Sequence, residues 1–174
     1  MYKRQVYYNH KHTGRPFEPN QRYVMHYIDA PVDALYPFGY GLSYTTFEYG
    51  VPTLSSDRMA DDGRITATVK VANTGDYDGE EVVQLYIRDI KAQITRPVKE
   101  LKGFRKVELA PGEEQEVTFY ITEEDLRYYR LDGTFGSEPG TFTVMIGNSS
   151  TTENSAVFTL TPVDKKSPAS KAVG

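Results

Sequence analysis

From Tyr44 onward, apolar and polar residues alternate in short runs, interrupted by turn residues roughly every ten to twenty positions, as in strands that each bury one face. Tyr44 to Tyr49 reads as a first strand. Ile65, Ala67, Val69 and Val71 alternate with Thr66, Thr68 and Lys70, which predicts a strand over about 64–72 that Asn73-Thr74-Gly75-Asp76 ends. Val83, Leu85 and Ile87 alternate with Gln84, Tyr86 and Arg88 over about 81–89, and the short turn between these two strands predicts a hairpin. Residues 90–97 contain Pro97 and little alternation, and read as a long loop crossing between sheets. Leu101 to Leu109 resumes the strand pattern, with Gly103 marking a bulge or a close backbone contact. After the turn Ala110-Pro111-Gly112-Glu113, a further strand buries Val117, Phe119 and Ile121.

Thr122-Glu123-Glu124-Asp125 predicts about one turn of helix, because Thr122 can cap it and the acidic groups favour the positive end of its dipole. Leu131-Asp132-Gly133-Thr134 forms a turn, and Glu138-Pro139-Gly140 leads into a strand over Thr141–Gly147 that places Phe142, Val144 and Ile146 on one face. The last strand, at about 155–161, alternates Ala156, Phe158 and Leu160. Seven strands of this kind predict an all-β, immunoglobulin-like or fibronectin type III-like antiparallel β-sandwich over residues 44–163.

Residues 1–43 show neither periodicity and are punctuated by Gly14, Pro16, Pro19, Pro31, Pro37, Gly39 and Gly41, so an irregular extended segment precedes the sandwich. Some forty structureless residues do not belong inside a compact domain, which implies that the segment lies across another surface. Within it, Pro37 fixes φ and Gly39 and Gly41 permit sharp bends or tight backbone contact, while Tyr36, Phe38, Tyr40 and Leu42 are too large and apolar to stand in water. Docking onto a neighbour is favoured over a ligand-binding loop. The tail 164–174, with Lys165, Lys166, Pro168 and Lys171, reads as disordered.

Composition narrows the function classes. A 174-residue chain with 39% hydrophobic and 25% charged residues is an ordinary single-core domain. Its 20 basic residues are spread along the chain against 24 acidic ones, which leaves no basic stripe for nucleic acid. No apolar stretch approaches the ~20 residues of a membrane span, and Met1–His10 offers no apolar core of a signal peptide. The absence of cysteine excludes disulfides, thiolate catalysis and cysteine-zinc sites. Fourteen tyrosines and no tryptophan fit half-wet strands, with a sugar-stacking platform as the sharper alternative.

Candidate chemistry is sparse. Glu80-Glu81, Glu113-Glu114 and Glu123-Glu124-Asp125 fall at strand or helix starts, where charge serves solvation. Asp76-Tyr77-Asp78-Gly79 begins like a calcium loop but lacks the later ligands. His10, His12 and His26 lack metal-ligand spacing, and no Ser-His-Asp set or phosphate-cradling glycine loop assembles. Asn148-Ser149-Ser150 is a glycosylation sequon, meaningful only in a eukaryotic secretory pathway. No cofactor or metal is expected.

The stretch Leu35-Tyr36-Pro37-Phe38-Gly39-Tyr40-Gly41-Leu42-Ser43-Tyr44-Thr45-Thr46-Phe47 resembles the linker of the family 3 glycoside hydrolases, the β-glucosidase and β-xylosidase group. Val71-Ala72-Asn73-Thr74-Gly75, Val82-Val83-Gln84-Leu85-Tyr86, Arg96-Pro97-Val98-Lys99-Glu100-Leu101-Lys102-Gly103-Phe104 and Leu109-Ala110-Pro111-Gly112-Glu113 follow in the family's order. Val6–Lys11 and Thr13-Gly14-Arg15-Pro16 look like the end of the family's α/β sandwich domain, especially in its periplasmic β-glucosidase branch. Met1 to Gln5 do not fit, which suggests a truncated or misassembled start.

The resemblance implies that residues 1–43 join the end of the α/β domain to an interdomain linker, and that the sandwich is a non-catalytic module bracing catalytic domains elsewhere. Tyr36, Pro37, Phe38, Gly39, Tyr40, Gly41, Leu42, Tyr44, Arg96 and Pro97 are then the expected docking residues. The parent would be a retaining β-glucosidase-like enzyme of the periplasm or exterior, with two carboxyl groups about 5–5.5 Å apart. The family's nucleophile lies in a Ser-Asp-Trp motif, of which Ser56-Asp57-Arg58 is a chance echo, and Lys11-His12 imitates its sugar-binding pair outside the proper motif. No catalytic residue is expected here. The alternative is a free-standing carbohydrate-binding or adhesion module, for which an exposed aromatic row would contact an oligosaccharide.

Overall fold

The computed structural model describes Tyr8 and residues 34–162; the other expectations for the N-terminal segment, including His10, Lys11-His12 and His26, and for the tail 164–174 lie outside the described residues. Eleven strands occur among the described residues: β1 Phe47–Tyr49, β2 Thr53–Leu54, β3 Arg58–Ala60, β4 Arg64–Asn73, β5 Gly79–Asp89, β6 Glu100–Leu109, β7 Glu114–Thr122, β8 Tyr128–Tyr129, β9 Phe135–Gly136, β10 Gly140–Gly147 and β11 Ser155–Thr161. One sheet joins β1, β4 and β2, with β7 also paired to β4. The second runs β3-β11-β10-β5-β6, and β8-β9 is a separate small hairpin. Pairing is antiparallel except for β3, which lies parallel to β11.

The apolar positions that alternate in the sequence meet between the two sheets. Ile65, Ala67, Val69 and Val71 of β4, with Val117, Phe119 and Ile121 of β7, face Val83, Leu85 and Ile87 of β5, Val144 and Ile146 of β10, and Leu160 of β11. Phe142 and Phe158 are register partners on β10 and β11, and their rings stack with centroids 5.5 Å apart. Burying each ring contributes about 1.5–3 kcal/mol, and the pair about 0.5–1.5 kcal/mol more.

Two topological expectations are corrected. The strands β4 and β5 do not form a hairpin: β4 pairs with β1, β2 and β7, whereas β5 pairs with β10 and β6. Alternation shows that each strand has an apolar face, but that face is covered by an opposing sheet as readily as it is shared beside a neighbour. Residues 74–78 therefore turn a corner between the sheets. Conversely, 90–99 does not cross between sheets, because β5 and β6 are antiparallel neighbours and the loop returns to the same sheet.

The register slips between Leu85 and Tyr86, opposite Gly103 and Leu101, so the bulge expected at Gly103 is present. A Cβ there would lie 3.4 Å from the Phe119 ring, so the backbone approach is close as well. The turn at 110–113 closes with the Glu113 amide donating to the Ala110 carbonyl at 3.0 Å, Gly112 supplying φ 77°. Glu123–Leu126 forms a single 3₁₀ turn, at whose start the Thr122 amide donates to the Asp125 carboxylate at 2.8 Å. The first strand begins at Phe47 rather than Tyr44, since Thr45 turns inward to hydrogen-bond Asn73.

Candidate functional site

Residues 35–44 form one apolar ribbon on the outside of the sandwich. Tyr36 is 71% exposed, Leu42 90% and Tyr44 97%, while Phe38 and Tyr40 are half-exposed and their ring neighbourhoods differ. Tyr36 and Tyr40 lie with centroids 5.7 Å apart, so the exposed surface is shared between rings. No part of this surface is used by the sandwich's own core.

Its middle is fastened. Pro37–Tyr40 is a turn in which the Tyr40 amide donates to the Pro37 carbonyl at 3.0 Å and Gly39 takes φ 79°. Positive φ at the third turn position calls for glycine. A second reason is steric, since a Cβ on Gly39 would collide with the Gln84 side-chain amide. Gly41 has no such neighbour and does not adopt positive φ, so only the first of the two linker glycines is required by the bend. The Ser150 amide donates to the Phe38 carbonyl at 2.8 Å. Gln84 Nε2 donates to the Gly39 carbonyl at 3.1 Å and to the Asn148 carbonyl at 2.6 Å, while Gln84 Oε1 accepts the Tyr86 hydroxyl.

Tyr8 adds a second cover. Its ring stacks on Phe38 with centroids 4.2 Å apart and meets Tyr86 edge-on at 6.0 Å, and its hydroxyl accepts the Leu101 amide at 3.4 Å. Tyr86 is consequently fully buried, and burial, with Tyr8 nearby, pushes its hydroxyl up to about 12. Alternation along β5 places Gln84 and Tyr86 opposite the core, as if for water. Both are buried instead, because irregular chain lies over that face. The signal that could have found them is a tyrosine and a glutamine on one strand face opposite a glycine-bearing aromatic linker.

Arg96 and Pro97 sit apart from the ribbon. The Arg96 side chain is only 9% exposed, pairs with Glu100 at 2.6 Å and lies over the Tyr128 ring at 4.3 Å, so its guanidinium faces inward; Pro97 is half-buried. Burial raises the nearby Asp89 carboxyl despite the Lys91 amide and Arg96. Lys99 Nζ donates to the Ser150 carbonyl at 2.6 Å, and burial lowers its ammonium.

Glu113 and Glu123 hold backbone, whereas Glu80 pairs with Lys106 and Glu81 accepts the Tyr49 hydroxyl. Glu113 accepts the Ala110 amide at 2.9 Å. Glu123 pairs with Arg127 at 2.6 Å and accepts the Ser137 amide; although burial opposes it, these donors hold its carboxyl below the usual range. Ser56 closes a local turn on Arg58, and Tyr77 contributes its carbonyl to Asn73. Ser149 and Ser150 of the sequon are buried.

These features define a two-sheet β-sandwich carrying a fastened, apolar ribbon on one outer face. Residues 81–150 match the family described as Fibronectin type III-like domain. The chain is 46% identical over 157 residues to Periplasmic beta-glucosidase of Salmonella typhimurium, spanning 89% of this chain and 20% of that protein. It is 50% identical over 125 residues to Beta-glucosidase BoGH3A of Bacteroides ovatus, covering 71% and 17%. A beta-glucosidase of Listeria innocua, crystallised with glucose, superposes with a TM-score of 0.83 at 42% identity over 89% of this chain and 22% of that one. The chain belongs to the family 3 glycoside hydrolases, of which it forms the fibronectin type III-like part. It spans about a fifth of the length of these relatives.

Proposed function

We propose that this chain is the C-terminal bracing module of a β-glucosidase-like hydrolase. It bears no reacting group of its own, and the ribbon Tyr36–Tyr44 is the surface that docks on the catalytic domains. The observation that carries this reading is the near-complete exposure of Leu42 and Tyr44 in a segment fastened at Phe38 and Gly39. Large apolar side chains held outward on an anchored backbone are the signature of a surface that meets a partner. Retaining hydrolysis of terminal β-glucosyl linkages would then be the work of the parent's other domains. Arg96 supports the module from within, and Pro97 shapes the loop beside it.

The purified chain, given an aryl β-glucoside, is expected to match a heat-killed control. Turnover well above that control would overturn the assignment. The rival reading, a free-standing carbohydrate-binding module, draws on the exposed Tyr129–Phe135 pair, whose centroids are 5.0 Å apart. Those rings are inclined at 50°, which suits mutual packing better than a flat platform under a sugar ring. Titration with cellobiose should leave the tyrosine resonances unmoved.

A further inference from the structure

We infer that Gln84 is the positioning residue that fixes the direction in which the apolar ribbon leaves the sandwich. Three pieces of chain meet at its amide: the 37–40 turn of the ribbon, strand β5 from which it projects, and the 148–150 turn that follows β10. Its nitrogen faces two carbonyls, those of Gly39 and Asn148, and its oxygen faces a hydroxyl. That arrangement uses both amide N–H donors and leaves the orientation of the group unambiguous. The 148–150 turn closes the circuit by sending the Ser150 amide to the Phe38 carbonyl, one residue from the carbonyl that Gln84 holds.

Only an amide of this length satisfies the set. Glutamate, of the same shape, would bring acceptor oxygens against two carbonyls. An apolar replacement would leave the Tyr86 hydroxyl without its partner in a buried place, which is costly, and would remove the donor that the part-buried Gly39 and Asn148 carbonyls share. The ribbon side is equally constrained, because Gly39 approaches the Gln84 amide so closely that any Cβ would displace it. Gln84 and Gly39 are therefore two halves of one latch. Its use, aiming Tyr36, Leu42 and Tyr44 at a neighbour, rests on the bracing role above; the latch itself does not.

The test is hydrogen exchange on the 174-residue chain, comparing the parent sequence with Gln84→Ala, Gln84→Glu, Gly39→Ala and the double variant Gly39→Ala/Gln84→Ala. The Ser150 amide is expected to exchange at least tenfold faster in each single variant, with the Ala67 and Val144 amides of β4 and β10 unchanged. The double variant should lose less than the sum of the two single ones, because both break the same contact, while the strain of positive φ at residue 39 remains in it. Unchanged protection of Ser150, equal loss of protection at Ala67 and Val144, or additive effects in the double variant would each overturn the latch. Association with a family 3 catalytic body is read separately: faster Ser150 exchange with unchanged association would support the latch and count against the docking role.

Discussion

The Asn73 side chain reaches from one sheet to the other, donating from Nδ2 to the carbonyl of Leu109 at 2.9 Å. The same amide nitrogen donates to the Tyr77 carbonyl at 2.8 Å, while Oδ1 accepts the Thr45 hydroxyl at 2.6 Å and the Gly75 amide at 3.1 Å. One buried side chain thus ties Thr45, the inter-sheet corner and the end of β6 together. Replacing it by alanine leaves several of these groups unpaired, so Asn73→Ala is expected to cost about 2–4 kcal/mol. Chemical denaturation followed by far-ultraviolet circular dichroism measures it.

Tyr49 on β1 donates to Glu81 on β5 at 2.6 Å, a second bridge between the sheets. Burial raises the Glu81 carboxyl above its ordinary 4.5, although the Tyr49 hydroxyl opposes the shift, and burial together with Glu81 raises the Tyr49 hydroxyl. A carboxyl raised on folding holds its proton more tightly in the folded state, so its contribution favours folding at low pH and is lost as pH rises above 4.5 through the folded value. Glu81→Gln keeps an acceptor for Tyr49 and removes this dependence. The variant is therefore expected to lose less stability than the parent chain between pH 4.5 and 7, as denaturant midpoints across that range would report.

Leu85 is buried between the sheets on β5. Truncation to alanine should cost about 2–5 kcal/mol, with the upper part of that range expected because β5 is held between β10 and β6 and can collapse little into the space. An unchanged melting temperature would contradict its placement in the core.

Most of this core was legible because the apolar residues recur with the strand period, and Ile65–Val71, Val117–Ile121, Phe142–Ile146 and Phe158–Leu160 stand where alternation puts them. Partnering was less legible. The turn Asn73–Asp76 looks the same whether it closes a hairpin or turns a corner, and what decides is the Asn73 side chain bonding to Leu109, a residue 36 positions away. The short strands β2, β3, β8 and β9 have too few residues to show any period. On β5, Gln84 and Tyr86 read as a wet face because their cover comes from Gly39, Phe38 and Tyr8, whose stretch has no period at all.

Leu42 and Tyr44 make no core contact, so Leu42→Ser and Tyr44→Ser should leave the stability of the chain within about 0.5 kcal/mol of the parent sequence. A large loss in thermal melts would mean that the ribbon serves the sandwich itself.

The docking role is tested most directly by titrating the chain into the catalytic domains of a family 3 β-glucosidase that lacks its own fibronectin-like module, following association by calorimetry. The bracing account predicts specific binding that the triple variant Tyr36→Ser/Leu42→Ser/Tyr44→Ser weakens at least tenfold while its melting temperature stays near that of the parent chain. Binding that the triple variant leaves intact, or no binding at all by the folded parent chain, would contradict it.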